Sequence, residues 1–170
     1  MLRHEVIRIL DGDTLLCRRF SHVEIVRLNW VDTPEIRKDN QPLRNIFDER
    51  QWYWGQRAIT EVQNFVDSAA RPGYIWVREY ERDKYGRVLA DIFSDYRYLI
   101  KDNLQYHLLR LGLATDFFPR MEKIVSESEY QRISLFTAFL RAEYWSKYHK
   151  QGIWGDPNFI CPFEYRQTWE

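Results

Sequence analysis

Apolar and polar positions alternate along the first forty residues in three short runs. The runs cover residues 6–10, 14–20 and 23–31. Asp11-Gly12-Asp13 separates the first two runs and Ser21-His22 the last two, and both separators are rich in turn-forming residues. The pattern predicts three consecutive antiparallel strands.

The middle of the chain changes period twice. Residues 36–51 are polar and predict a long loop, a feature that is often functional. Residues 52–68 carry apolar side chains at helical spacing and predict a helix. Residues 74–80 and 88–93 predict two further strands, joined by a charged turn at 81–87.

The last third of the chain is predicted to be helical. Residues 104–111 form a short helix that stops at Gly112. A capping pattern at 126–129 opens a long helix that runs to about Lys150. Its predicted inner stripe consists of Ile133, Phe136, Leu140 and Tyr144. Residues 156–170 contain two prolines and are expected to be an irregular tail.

This order of elements predicts an α+β fold. Five strands form an OB-like β-barrel, with a helix after strand three and two C-terminal helices. The barrel domain is expected over residues 1–155, followed by the tail at 156–170. Barrels of this kind often bind nucleic acids on one face, but the fold alone does not determine function.

Composition supports a folded chain and constrains its partners only weakly. The 170 residues are 45% hydrophobic and 16% aromatic, enough for a substantial core. The chain has 25 basic and 25 acidic residues, so a strongly basic nucleic-acid-binding surface is not indicated. A protein that binds nucleic acid only within a cleft needs basic residues there and not over its whole surface, so the balance does not exclude nucleic-acid partners.

Cysteine and histidine do not indicate a metal centre or a disulfide scaffold. Cys17 and Cys161 could pair, but their spacing does not require it. The four histidines are scattered without metal-ligand spacing; they are His4, His22, His107 and His149.

The chain shows no targeting or membrane segment. Residues 1–10 are too charged for a signal peptide, and no stretch reaches the roughly 18 apolar residues of a membrane helix. We therefore expect a cytoplasmic protein, or a secreted one if a leader was removed, with a monomer as the default.

Two acidic turns and two arginines supply candidates for phosphodiester hydrolysis. This chemistry needs cations against the phosphate oxygens and a group that orients or deprotonates water. Asp11-Gly12-Asp13-Thr14, Asp32-Thr33-Pro34-Glu35, Arg27 and Arg87 provide such groups. Taken singly, each has a simpler explanation as a hairpin turn, a loop start or a solvated strand residue.

Taken in order, these segments resemble the staphylococcal nuclease (thermonuclease) family from about residue 5 to 155. The matching stretches begin with Asp11-Gly12-Asp13-Thr14 and continue with 26–35, which ends in Asp32-Thr33-Pro34-Glu35. Asp83-Lys84-Tyr85-Gly86-Arg87 follows, then Leu111-Gly112-Leu113-Ala114 and Gln151-Gly152-Ile153-Trp154. The resemblance implies a calcium-dependent endonuclease that acts on DNA, RNA or both and leaves 3′-phosphate ends.

The resemblance also implies roles for residues at matching positions. Asp13, Asp32 and the backbone carbonyl of Thr33 would bind Ca²⁺. Glu35 would position or deprotonate the attacking water. Two arginines, Arg27 and Arg87, would bind the scissile phosphate through their planar guanidinium groups.

The nucleotide pocket departs from the family pattern. Lys84 and Tyr85 match residues that hold a terminal phosphate, whereas the segment after the short helix lacks the family's tyrosines. Phe118 could stack on a base but cannot donate a hydrogen bond, and Asp116 adds negative charge nearby.

Two local features bear on geometry. Arg27 and Asp32 are an odd number of residues apart, so strict alternation would send them to opposite faces of one strand. Both can face one cleft only if the chain bends or bulges before Asp32. The stretch 36–57 is longer than the family's and aromatic-rich, and either packs at the helix start or shapes the cleft; its aromatics are Phe47, Trp52, Tyr53 and Trp54.

Two other functions remain open. The chain could be a catalytically silent nuclease-like module that binds nucleic acid or a protein partner. It could also be a generic oligonucleotide-binding barrel, which would not need Glu35. Retention of Asp13, Arg27, Asp32, Glu35 and Arg87 favours the active nuclease.

Overall fold

The computed structural model describes residues 1–38, 40–117 and 130–168. Five strands form a closed barrel in the order β1-β2-β3-β6-β5. Four of the five strand pairings are antiparallel, and β3 runs parallel to β6. The barrel strands are β1 (Leu2–Asp11), β2 (Thr14–Arg19), β3 (His22–Leu28), β5 (Tyr74–Arg82) and β6 (Val88–Phe93).

Within the described ranges, two short strands and four α-helices accompany the barrel. β4 and β7 pair antiparallel in a small second sheet outside the barrel. The α+β prediction of an OB-like barrel is confirmed; the strands are as expected, except that the third is interrupted. The other elements are β4 (Val31–Asp32), α1 (Ile46–Asp67), α2 (Leu104–Leu111), β7 (Thr115–Asp116), α3 (Tyr130–Tyr148) and α4 (Pro162–Gln167).

The first helix begins six residues earlier than predicted. The Asn45 side chain accepts hydrogen bonds from the backbone N–H groups of Phe47 and Asp48 and so caps α1. Asp48 and Gln51 are fully buried. Polar residues that are buried with specific partners look like a solvated loop in a sequence, and this is why the predicted loop at 36–51 was too long.

The predicted inner face of the long helix is wrong at three of its four residues, whereas the fourth, Phe136, packs against the core. Ile133, Leu140 and Tyr144 are 49%, 40% and 71% exposed. Among the residues of α3 whose side chains the structure describes, the buried ones are Leu135, Phe139, Ala142, Glu143 and Ser146. α3 carries apolar side chains on both faces, so periodicity alone does not identify the side that packs. The capping pattern at 126–129 lies outside the described residues.

The predicted irregular tail contains an ordered helix, α4, with Pro162 at its start. The segment from Asp156 to Thr168 packs along α1 through polar contacts. Gln51 Nε2 donates to the carbonyl of Ile160 at 2.6 Å, and Trp54 Nε1 donates to Asp156 Oδ2 at 2.7 Å.

A buried hydrogen bond ties α4 to the start of α1. The Tyr165 hydroxyl donates to Asp48 Oδ1 at 2.8 Å, and the Arg44 guanidinium donates to the same carboxylate. Hydrogen bonds from Arg44 outweigh the opposing effect of burial and lower the pKa of Asp48 to about 2. The carboxylate is therefore charged and depends on these donors.

The two cysteines are free, with Cys17 buried in the barrel and Cys161 partly exposed before α4. Among the described residues, no helix combines the length and apolar composition that crossing a bilayer requires.

Substitution of Tyr165 by phenylalanine tests how strongly α4 is held. Hydrogen bonds to charged groups contribute about 1.5–3 kcal/mol, so we expect Tyr165→Phe to lower the free energy of unfolding by an amount of that order. Urea denaturation measures the change. Tyr144→Phe, at a residue that is 71% exposed, is the matched control and should leave the midpoint unchanged. Equal midpoints for the two variants would contradict the expectation.

Candidate functional site

The first acidic turn, at residues 11–14, packs closely against α1. Asp13 N–H donates to Asp11 Oδ1 at 3.0 Å and so closes the turn between β1 and β2. A Cβ at Gly12 would lie 2.7 Å from both Ala58 Cβ and Thr33 Oγ1. Only glycine allows this approach, and it places the buried Asp13 carboxylate beside the second acidic segment.

The predicted bend before Asp32 is confirmed. β3 ends at Leu28, and Trp30 then adopts a positive φ of 64°. The chain continues as β4, which leaves the barrel to pair with β7. This change of direction resolves the parity conflict, because Arg27 and Asp32 are no longer on one regular strand.

Arg27 lies between the two buried aspartates. Its Nη1 donates to Asp13 Oδ1, and its Nη2 donates to Asp32 Oδ1 at 3.1 Å. Burial raises the pKa of Asp13 well above its usual value, and the positive charge of Arg27 opposes that effect. The Asp13 and Asp32 side chains are only 4% and 2% exposed, and the guanidinium places a positive charge between these two buried groups.

Glu35 is positioned through the backbone of the loop that follows β4. Its N–H donates to the side-chain oxygen of the buried Gln51 at 3.1 Å. A Cβ at Gly55 would lie 2.5 Å from the Glu35 carbonyl oxygen. The absence of a side chain at Gly55 therefore lets the Pro34–Glu35 backbone pass directly over α1.

Arg166 is the site residue that the sequence analysis missed. Its Nη2 donates to Asp32 Oδ2 at 2.6 Å, and its Nη1 donates to Glu35 Oε1 at 2.8 Å. Burial opposes the charge of Arg166, but these hydrogen bonds outweigh it and raise the pKa of Arg166. The only signal in the sequence was Pro162, a residue type that favours the first turn of a helix.

The hairpin between β5 and β6 supplies the other predicted residues. Arg87 Nε donates to Asp83 Oδ2 at 2.7 Å. Tyr85 is 71% exposed, with the Lys84 ammonium 5.0 Å and the Arg87 guanidinium carbon 5.5 Å from its ring centroid. Phe118, the predicted base-stacking residue, lies outside the described residues.

These segments border one open cleft of about 1510 Å³. Every described site residue predicted from sequence lines it: Asp13, Arg27, Asp32, Thr33, Glu35, Lys84, Tyr85 and Arg87. Phe117, Phe163 and Arg166 line it as well. The volume exceeds that of a typical small-molecule site, about 300–1,000 Å³, so the cleft has room for a polymeric substrate.

The aromatic stretch at the start of α1 does not line this cleft. Trp54 binds Asp156, and the guanidinium carbon of Arg37 lies 5.1 Å from the Trp52 ring centroid. Asp116 also lies away from the cleft lining, where its backbone N–H donates to Glu143. The contacts of Trp52 and Trp54 favour a role of these aromatic side chains in packing around α1 over a role in shaping the cleft.

The donor set of the cleft fits a hard divalent cation. Asp13 and Asp32 are close enough to bind one guanidinium, and the backbone N–H of Thr33 donates to Asp13 Oδ2 at 3.2 Å. The acidic groups therefore converge from two distant segments. Carboxylate and carbonyl oxygens are the ligands that calcium and magnesium prefer.

A second acidic cluster has a different character. Among the described residues, one group of three side chains could offer ligand atoms to a metal ion, with these atoms all within 4.8 Å of one another. The group consists of His4, Glu24 and Glu79. Arg82 and Arg19 already pair with these carboxylates. In this structure the cluster is therefore an ion-pair network on the barrel.

Comparison with known proteins gives a consistent result. A family model described as "Staphylococcal nuclease homologue" matches residues 25–156. The thermonucleases of Staphylococcus hyicus and Staphylococcus intermedius are 31% and 34% identical to the chain, each over 69% of its length. The SPbeta prophage-derived endonuclease YokF of Bacillus subtilis is 27% identical over 76% of the chain.

The chain spans 60%, 62% and 42% of these three relatives, less than two thirds of each. The family match nevertheless covers well over half of the chain and includes the second acidic segment at 32–35, and the five-stranded barrel is consistent with it. On the fold, the cleft and this match together, the chain belongs to the staphylococcal nuclease homologue family.

Proposed function

We propose that the chain is a calcium-dependent endonuclease that hydrolyses phosphodiester bonds of DNA, RNA or both. The observation that carries the proposal is the bridging of Asp13 and Asp32 by Arg27 within a cleft that also includes Glu35. The names of the relatives, thermonuclease and endonuclease, support the same activity.

The proposed cation ligands are the carboxylates of Asp13 and Asp32 and the carbonyl of Thr33. When bound, Ca²⁺ supplies positive charge against the phosphate and orients it. Burial of both carboxylates strengthens their interaction with a cation, because the surrounding dielectric is low.

The proposed phosphate-binding groups are Arg27 and Arg87. A guanidinium has five N–H donors. In Arg27 and Arg87, only some of these N–H groups donate hydrogen bonds to carboxylates. The remaining N–H groups are available to phosphate oxygens, whose negative charge grows in the transition state. Lys84 and Tyr85, on the same hairpin, are proposed to contact a neighbouring phosphate.

Glu35 is proposed to orient the attacking water and take its proton. The Gln51 contact and the close approach at Gly55 hold the backbone of Glu35 at the cleft wall. Attack on phosphorus opposite the 5′ oxygen would expel that oxygen and leave a 3′-phosphate end.

Incubation of the chain with single-stranded and duplex DNA and with RNA tests the activity. We expect cleavage in the presence of Ca²⁺ and none with a chelator, because the phosphate charge then lacks its counter-cation. Products of a 5′-labelled strand should shift in gel mobility after phosphatase treatment that removes 3′-phosphates. Cleavage that persists with the chelator would contradict the cation's role, and binding without cleavage would favour a catalytically silent module.

Replacement of Glu35 by glutamine tests the proposed base. General-base catalysis contributes about 100- to 10,000-fold, so we expect Glu35→Gln to lower kcat by at least that range while substrate binding persists. Glu49→Gln, an isosteric change at an exposed position of α1, should retain the unaltered rate. Single-turnover cleavage measures both variants, and an active Glu35→Gln would remove Glu35 from the mechanism.

A further inference from the structure

Arg166 binds the same carboxylates to which the proposed function assigns the cation and the base. Nη1 and Nη2 donate to Asp32 Oδ1 and Oδ2 at 3.1 and 2.6 Å, in a two-pronged pairing. Nη1 also donates to Glu35 Oε1 at 2.8 Å. Two-pronged arginine–carboxylate pairs are strong and geometrically specific.

The position of Arg166 is determined by the docking of its segment on α1. Its neighbour Tyr165 is 2% exposed and donates to the buried Asp48. Arg44 adds a hydrogen bond to the carbonyl of Thr168 at 3.2 Å, and Phe163 packs 6.1 Å from the Phe117 ring, centroid to centroid. Contacts on both sides of Arg166 therefore direct its side chain into the cleft.

The oxygen atoms of the two aspartates are already engaged. Asp13 Oδ1 accepts from Arg27 and Thr14, and Asp13 Oδ2 accepts from the Thr33 N–H. Asp32 Oδ1 accepts from both Arg27 and Arg166, and Asp32 Oδ2 accepts from Arg166.

A divalent cation at Asp32 would meet Arg166 directly. It needs a lone pair of the carboxylate, and the guanidinium charge lies within hydrogen-bond distance of both Asp32 oxygens. Two positive groups on one carboxylate repel each other, and the repulsion is strong where solvent screening is weak. The side chain of Asp32 is 2% exposed.

We propose that Arg166 competes with the divalent cation for Asp32, so that the C-terminal segment 156–168 lowers the cation affinity of the cleft. Cation binding requires the Arg166 guanidinium to leave Asp32. This inference rests on the cation site of the proposed function, and it adds to Arg27 of the barrel a second guanidinium, supplied from outside the barrel, that occupies both oxygens of Asp32.

Calorimetric titration with Ca²⁺ tests the competition without any cleavage assay. We expect Arg166→Gln to bind Ca²⁺ at least about tenfold more tightly than the unaltered chain, a factor that corresponds to about 1.4 kcal/mol. Arg141→Gln, an equal change of charge at an exposed position of α3, should bind like the unaltered chain. Circular dichroism checks that each variant is folded.

Replacement by lysine separates direct competition from the effect of net charge. Arg166→Lys keeps the charge but cannot span both oxygens of Asp32 while reaching Glu35. We therefore expect its affinity for Ca²⁺ to lie between those of the unaltered chain and Arg166→Gln. An affinity equal to that of the unaltered chain would mean that only charge matters, and it would overturn the competition for the oxygens.

The other outcomes are also decisive. Unaltered or weaker Ca²⁺ binding by Arg166→Gln, with clear binding by the unaltered chain, would overturn the competition and leave the proposed cation site intact. Failure of both the unaltered chain and folded Arg166→Gln to bind Ca²⁺ would overturn the cation site and the competition together.

Discussion

Two buried carboxylates held by one guanidinium are the constraint on which the site depends. Asp13 and Asp32 are almost fully removed from solvent, and Arg27 pairs with both. Removal of one partner from a buried ion pair typically costs about 3–5 kcal/mol, because the other charge is left uncompensated. The fold must therefore hold the end of β3 and both acidic segments in fixed positions relative to one another.

Close backbone approaches bring these segments together. Gly12 lets the first acidic turn touch Thr33 and Ala58, and Gly55 lets the chain before Glu35 pass over α1. α1 is thus the surface against which both acidic segments are set. Two buried polar residues of α1 also hold neighbouring segments in place: Gln51 accepts a hydrogen bond from the backbone of Glu35, and Asp48 accepts one from Tyr165 of α4.

The negative charge of the cleft is offset from opposite ends of the chain. Arg27 comes from the barrel, and Arg166 comes from the helix that follows the family match. The net charge of the whole chain is zero, and it conceals this local arrangement. The fields of charged groups act locally in a cleft, so the net charge of the chain does not describe the electrostatics of this one.

Sequence alone determined the barrel, its strand order along the chain and the two acidic turns, because alternation, turn residues and short motifs are local properties. The odd spacing of Arg27 and Asp32 even predicted a bend before Asp32, which the structure places at Trp30. Tertiary structure alone decided the buried face of α3, the start of α1 at Ile46 and the placement of Arg166. The buried face of α3 was a choice between two similar faces. Asp48 at the start of α1 and Arg166 have partners 117 and 134 residues away in sequence, Tyr165 and Asp32, and no local pattern records such contacts.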